Sequence, residues 1–169
     1  GKSAVSKAEA RLADKSLPDE ERGQIAANLL GVRALDASIL SAVTALVAGD
    51  ASPALQRRVI EALGTTGEPL AGQTLLAALS KLDPELREAA FGQLLKRADW
   101  SESVVQALAD RKLDPALLGP SGLHRLRTHA DAAVAKHAIA VIEELRGPEQ
   151  KQKDALIAKL RPEVIKAGN

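Results

Sequence analysis

Cysteine and methionine are absent from the 169 residues, and Phe91 and Trp100 are the only residues of the Phe, Trp and Tyr group. Without cysteine the chain has no disulfide, no thiolate nucleophile, no Cys-ligated metal and no covalent haem attachment of its own. Two aromatic side chains provide no stacking platform for bases or sugars, so the hydrophobic 46% must build its core from Leu, Ala, Val and Ile. Charge of one sign is missing as well. Against 23 Lys plus Arg stand 22 Asp plus Glu, and a net charge of +1 lacks the basic excess of a nucleic-acid or membrane-surface protein. No apolar run reaches the about 18 residues that span a bilayer. The first fifteen residues are charged and helix-like, without the apolar centre of a signal peptide. The lack of methionine, with glycine at position 1, predicts a piece cut from a longer chain, Gly1 being a cleavage scar.

What the sequence does contain is helix signal, at a length that fits one domain with a continuous core. Apolar residues recur three or four apart between Pro, Gly, Ser or Asp, and strand-like alternation is nowhere sustained. Helices are predicted over 3–14 and 18–30, the second with Asp19, Glu20 and Glu21 near the positive end of its dipole. Asp36 caps a third, with Ile39, Leu40, Val43, Leu46 and Val47 on one stripe up to Gly49. Ser52-Pro53 opens a fourth, which ends at a Gly64-Thr-Thr-Gly67 break, and a fifth covers 69–81. Asp83-Pro84 opens a sixth, with Leu86, Ala90, Phe91, Leu94 and Leu95 inward, and 100–110 forms a seventh. Asp114-Pro115 and Gly119-Pro120 fit two short helical turns before Asp131 caps a long helix, and Gly147-Pro148 separates that helix from a last one. Leu63, Leu76, Phe91, Leu94, Val134 and Ile142 are expected in the core.

These helices repeat. Pro53-x-Leu55, Pro84-x-Leu86 and Ala132-x-Val134 begin alike, and apolar residues follow at matching offsets: Val59, Ile60, Leu63; Ala90, Phe91, Leu94; Ala138, Ile139, Ile142. Pro18 starts a weaker copy, so the starts at 18, 53, 84 and 132 lie 35, 31 and 48 residues apart. A period of this size means helix pairs stacked into a solenoid, in which each pair completes the core of its neighbour.

The pattern over about residues 17 to 146 resembles HEAT repeats in their short bacterial form, where Asp or Ser and then Pro open the second helix of a pair. The Trp, Leu-Gly and Tyr positions of tetratricopeptide repeats and the Thr-Pro-Leu-His of ankyrin repeats are missing. The resemblance implies an all-α, armadillo-like superhelix of about four antiparallel pairs in a single domain. Residues 1–16 would be an N-terminal capping helix, 17–110 the regular repeats, 111–130 an irregular insert and 131–169 the C-terminal helices.

A narrower resemblance lies in Leu108-Ala-Asp-Arg-Lys-Leu-Asp-Pro-Ala-Leu-Leu118, Leu123-His-Arg-Leu-Arg-Thr-His-Ala-Asp131 and Arg161-Pro-Glu-Val-Ile165. That order is similar to the helical region of multidomain planctomycete proteins of the membrane-bound dehydrogenase and haem-binding type. In that family a sugar-dehydrogenase-like propeller precedes the helices, and a cytochrome c domain with Cys-x-x-Cys-His follows them. The resemblance implies a periplasmic or cell-envelope setting and a haem c in a downstream domain of the parent. The haem motif does not occur here, so no redox or dehydrogenase residue transfers, and the chain is expected to hold no cofactor or metal itself.

Chemical candidates are few. His124, His129 and His137 lie five and eight apart across a helix break, whereas a ligand pair on one helical face needs three or four. His129 fits an interaction with the end of its helix, His137 fits the surface, and Trp100 and Phe91 fit packing positions. Glu20 with Glu21 and Glu143 with Glu144 are adjacent on helices and diverge, which suits a solvated face and not a catalytic dyad. Ser121-Gly122 and Lys2-Ser3 lack the glycines of a nucleophile elbow or a phosphate loop.

Residues after Leu118 carry nine Lys or Arg against six acids. Arg125, Arg127, His129, Lys136, Lys151, Lys153, Lys159 and Arg161 are the candidate interaction surface, for protein domains of the same or another chain. Nucleic acid is not expected, because no aromatic residues interleave with this charge. With no catalytic residues in view, the resemblance implies a non-catalytic scaffold or docking module within a larger dehydrogenase or cytochrome c-type protein, with a free-standing adaptor for a protein partner, or a HEAT-like lyase-type enzyme, as the alternatives. HEAT-like repeats also occur in bilin lyases and alkylation-repair glycosylases; the latter need an aromatic-lined basic cleft that this chain cannot supply.

Overall fold

A proline at the first helical position loses no hydrogen bond and arrives with its φ preset. The computed structural model uses it so four times, in α4 (Pro53–Thr66), α5 (Pro69–Ala78), α6 (Pro84–Leu94) and α8 (Pro115–Arg127). It describes residues 2–31 and 36–166, with the side chains of 148–151 and 161–166 outside the description. The other helices are α1 (Lys2–Ala13), α2 (Asp19–Leu30), α3 (Ala37–Val47), α7 (Ala98–Ala109), α9 (Ala132–Leu145) and α10 (Gly147–Lys166). A 3₁₀ turn, Leu79–Lys81, extends α5, and among the described residues there is no strand. Asp36 caps α3 by accepting the Ile39 N–H at 2.9 Å, and Ser52 caps α4 through the Leu55 N–H at 3.2 Å. Asp131 caps α9 through Ala133 and Val134. The expected break at Gly64 is not there. α4 continues to Thr66 and stops at Gly67, whose φ of 72° is the left-handed conformation that ends helices. Gly64 is helical and buried, and the Gln93 side chain of α6 occupies the space that a Cβ would take there.

The helices pack in two rows. α1, α3, α5, α7 and α9 stand side by side in one, and α2, α4 and α6 in the other. α8 follows α6, tied to it by the Arg125–Glu88 ion pair, and leans on α9. Between the rows Val43, Val59, Ile60, Leu63, Leu75, Leu94 and Val104 are fully enclosed in one continuous core. Leu76 is a correction, since it is only half-buried. α5 turns Ala71, Leu75 and Ala78 inward, and Leu76 lies about 100° further round the helix than Leu75.

The fourth repeat copy also stands differently from its sequence assignment. α9 follows α6 by three helices instead of two, so parity places it in the opposite row, against α7. The stretch 111–130 holds α8, bent at Gly119 (φ 63°, ψ 178°) into the two short runs that its two prolines suggest. Ile139, which matches Ile60 and Phe91 in the sequence copies, is consequently 42% exposed, whereas those two are 0% and 2% exposed.

A recurrent device joins the rows. Helix C-termini leave carbonyls without partners, and the fourth residue of the next helix reaches back to them. In α2 the Nε of Arg22 donates to Leu12 O at 3.0 Å, and in α4 the Nε2 of Gln56 donates to Val47 O at 2.9 Å. In α6 Arg87 donates to Leu79 O at 2.9 Å and Leu82 O at 2.8 Å. Arg87→Ala leaves two carbonyls unpaired, and the expected loss is ~1–3 kcal/mol in urea denaturation. A loss under ~0.5 kcal/mol, the range of ordinary surface changes, would mean that water replaces the guanidinium freely.

Candidate functional site

The predicted basic surface divides once the helices are placed. On α8, Arg125 pairs with Glu88 of α6 and lies over the Phe91 ring, 5.2 Å from its centroid. Lys136 on α9 is exposed, as are Lys153 and Lys159 on α10. The side chains of Lys151 and Arg161 lie outside the described residues. His129 is half-buried, and its ring faces inward. Its Nδ1 accepts the Asp131 N–H at 3.0 Å, which puts the proton on Nε2, next to Leu95 O at 3.1 Å and the Ser101 hydroxyl at 3.0 Å. The Ser101 hydroxyl in turn donates to Leu94 O at 3.1 Å.

Ser101 and His129 have the spacing of a nucleophile and its base but not the protonation. A base must present a bare nitrogen to the hydroxyl, oriented by an acceptor on its other nitrogen. Here the other nitrogen is itself the acceptor, and Ser101 is 0% exposed. The pair pins the ends of α6 and α8 to the start of α7. His137 pairs through Nδ1 with Glu102 of α7, and His124 is exposed. Among the described residues no three His, Asp or Glu converge as a metal site, and no helix is long and apolar enough to cross a membrane.

The side chains of the final packed pair line a groove instead. Its volume is about 350 Å³, with Ala116, Pro120 and Leu123 of α8 facing Ile142 and Leu145 of α9. The bend at Gly119 opens it: a Cβ at that residue would meet nothing within 4 Å. Arg127 and Arg146 line the same groove, and both continue into an adjoining hollow of about 460 Å³ that reaches Ile139 and Glu143. The Nε of Arg127 is sealed from solvent without a hydrogen-bond partner, and among the described residues neither guanidinium meets a carboxylate or carbonyl. Asp14 and Asp110, by contrast, satisfy themselves locally. The Ser16 hydroxyl and N–H hold the Asp14 carboxyl below its usual range, and Gln106, then Lys112, do the same for Asp110. Both stand exposed at helix ends, where the shift marks a closed turn.

Residues 10–96, just over half of the chain, match the sequence profile of HEAT repeats. The chain belongs to the HEAT repeat family. No curated protein and no solved structure matches it significantly. The HEAT match runs from α1 to just past α6, so the groove lies beyond it, at the end of the stack. HEAT repeats stack helix pairs into scaffolds whose extended surfaces bind other proteins. The basic excess after Leu118 grouped Arg125, Arg127 and His129 in one candidate surface, but helical geometry sends residues two apart to different faces. It passed over Arg146 as a site residue and missed the apolar wall. The available signals were Gly119-Pro120, which bends α8, and Ile139, an apolar residue at a position the last helix cannot cover.

Proposed function

We propose that this HEAT-repeat chain is a non-catalytic scaffold that links or docks domains of a larger dehydrogenase or cytochrome c-type protein of the cell envelope. The observation that carries the reading is the single core shared by both rows, in which each helix pair is closed by the next. Such a stack holds its two ends at a set separation, as a flexible linker does not. In this reading the partners are protein domains, the chain itself takes neither metal nor haem, and a haem c belongs to a domain downstream. The resemblance of residues 108–131 and 161–165 to the planctomycete proteins supports that setting.

Stopped-flow measurement of haem reduction tests it, comparing the parent protein with a version lacking residues 1–169. Haem incorporation should be unchanged, since the ligands lie elsewhere, and electron transfer between the flanking domains should slow. Equal rates would refute the spacer role. A free-standing adaptor is the second reading, and the groove with its two unpaired arginines favours it.

A further inference from the structure

We propose that the groove between α8 and α9 docks an aliphatic and acidic segment of a protein partner. One Leu- or Ile-sized side chain enters between Pro120, Leu123, Ile142 and Leu145, and a neighbouring carboxylate settles on Arg127 and Arg146. The inference rests on reading the chain as a docking module and adds the chemistry of what is docked.

Three observations point to that occupant. First, a guanidinium with a sealed, unpartnered Nε carries a desolvation cost that nothing in the chain offsets. Its terminal nitrogens take a carboxylate in a charge-assisted bond, and Arg146 on the same groove supplies the second cation. Second, the wall is apolar, and Ile139 beside it stands open at a position where the other repeats bury Ile60 and Phe91. An apolar surface of this kind is covered in the regular repeats by the next element of the stack. Third, charge selects between occupants. A second copy's α10 offers exposed Leu156, Ile157 and Leu160, but that helix carries five Lys or Arg against three acids. It would bring like charge to Arg127 and Arg146. Glu143 is the one carboxylate lining the adjoining hollow, and it pairs with neither arginine. No Phe, Trp or Tyr lines the groove or the adjoining hollow, where the His124 imidazole is the one aromatic ring, so a nucleic acid would find cations there but no large stacking platform for its bases.

The test is fluorescence anisotropy of the full chain with a labelled synthetic peptide of repeated Glu-Leu-Leu-Glu, read together with amide shifts in ¹H–¹⁵N spectra. Saturable binding is expected, with shifts concentrated in α8 and α9. Lysine in place of each glutamate, or alanine in place of each leucine, should weaken it by at least about tenfold, equivalent to ~1.4 kcal/mol. Arg146→Glu, at an exposed position where folding is not at risk, should weaken it as much, and Arg127→Gln should do so without lowering the thermal midpoint. Equal binding by either altered peptide, or by Arg146→Glu, would overturn the proposal. Shifts confined to α2, α4 and α6 would overturn this groove and leave the docking reading standing. Absence of any binding would also overturn it, while the electron-transfer comparison still tests the spacer role on its own. Concentration-dependent dimers in sedimentation, abolished by Leu156→Glu, would assign the groove to a second copy and overturn the proposal as well.

Discussion

Trp100→Ala should destabilise the chain by ~3–5 kcal/mol, the range for removing a large buried aromatic. The indole is 2% exposed and lies against Gly72 of α5, where a Cβ would come within 2.7 Å of ring atoms. The ring therefore locks α5 to α7 through the one residue type that leaves room for it. Arg97 covers it at 5.4 Å from the ring centroid. Because its Nε1 is buried without a partner, Trp100→Phe removes an unsatisfied donor along with some volume, and should cost clearly less than Trp100→Ala. Thermal unfolding of the two variants checks the order. Equal losses would mean that the indole N–H finds water.

Leu94→Ala should cost ~2–5 kcal/mol as an ordinary core truncation. Leu94 is 0% exposed on α6, inside the core both rows share, and its carbonyl accepts the Ser101 hydroxyl. The loss is expected as a fall in the urea midpoint with the slope unchanged, since the extent of surface exposed on unfolding stays the same. A loss below ~0.5 kcal/mol, typical of surface positions, would show that the repeated stripe does not form the core. A smaller midpoint accompanied by a changed slope would mean that the stack unfolds in parts.

Helix by helix, the structure agrees with what local signals allow. The Asp and Ser caps at 36, 52 and 131, the first-turn prolines and the stripes of α3, α4 and α6 are all readable from the chain, because each depends on residues within a few positions of one another. Departures occur where a distant residue decides. Gly64 reads as a breaker in sequence, yet Gln93 needs its missing side chain; Leu76 and Leu75 are indistinguishable until α5 is rotated against its neighbours. The inward-reaching Arg22, Gln56 and Arg87 share a helix position that could have been aligned, but their acceptors are carbonyls set by how the pair packs.

The sequence by itself determined that the chain is helical, that its helices pair and stack, and that it lacks the thiol chemistry and base-stacking platforms its composition excludes. Periodicity, caps and composition are local or additive properties, and they survive without knowledge of the tertiary arrangement. Tertiary structure decided what the C-terminal end presents. Only with α8 counted as a helix does parity move α9 beside α7, leave Ile139 uncovered and bring Arg127 and Arg146 to one apolar groove. The two arginines are nineteen positions apart, Arg127 at the end of α8 and Arg146 just past the end of α9. No period or spacing links them, and their approach follows from the bend at Gly119 and the packing of α8 on α9.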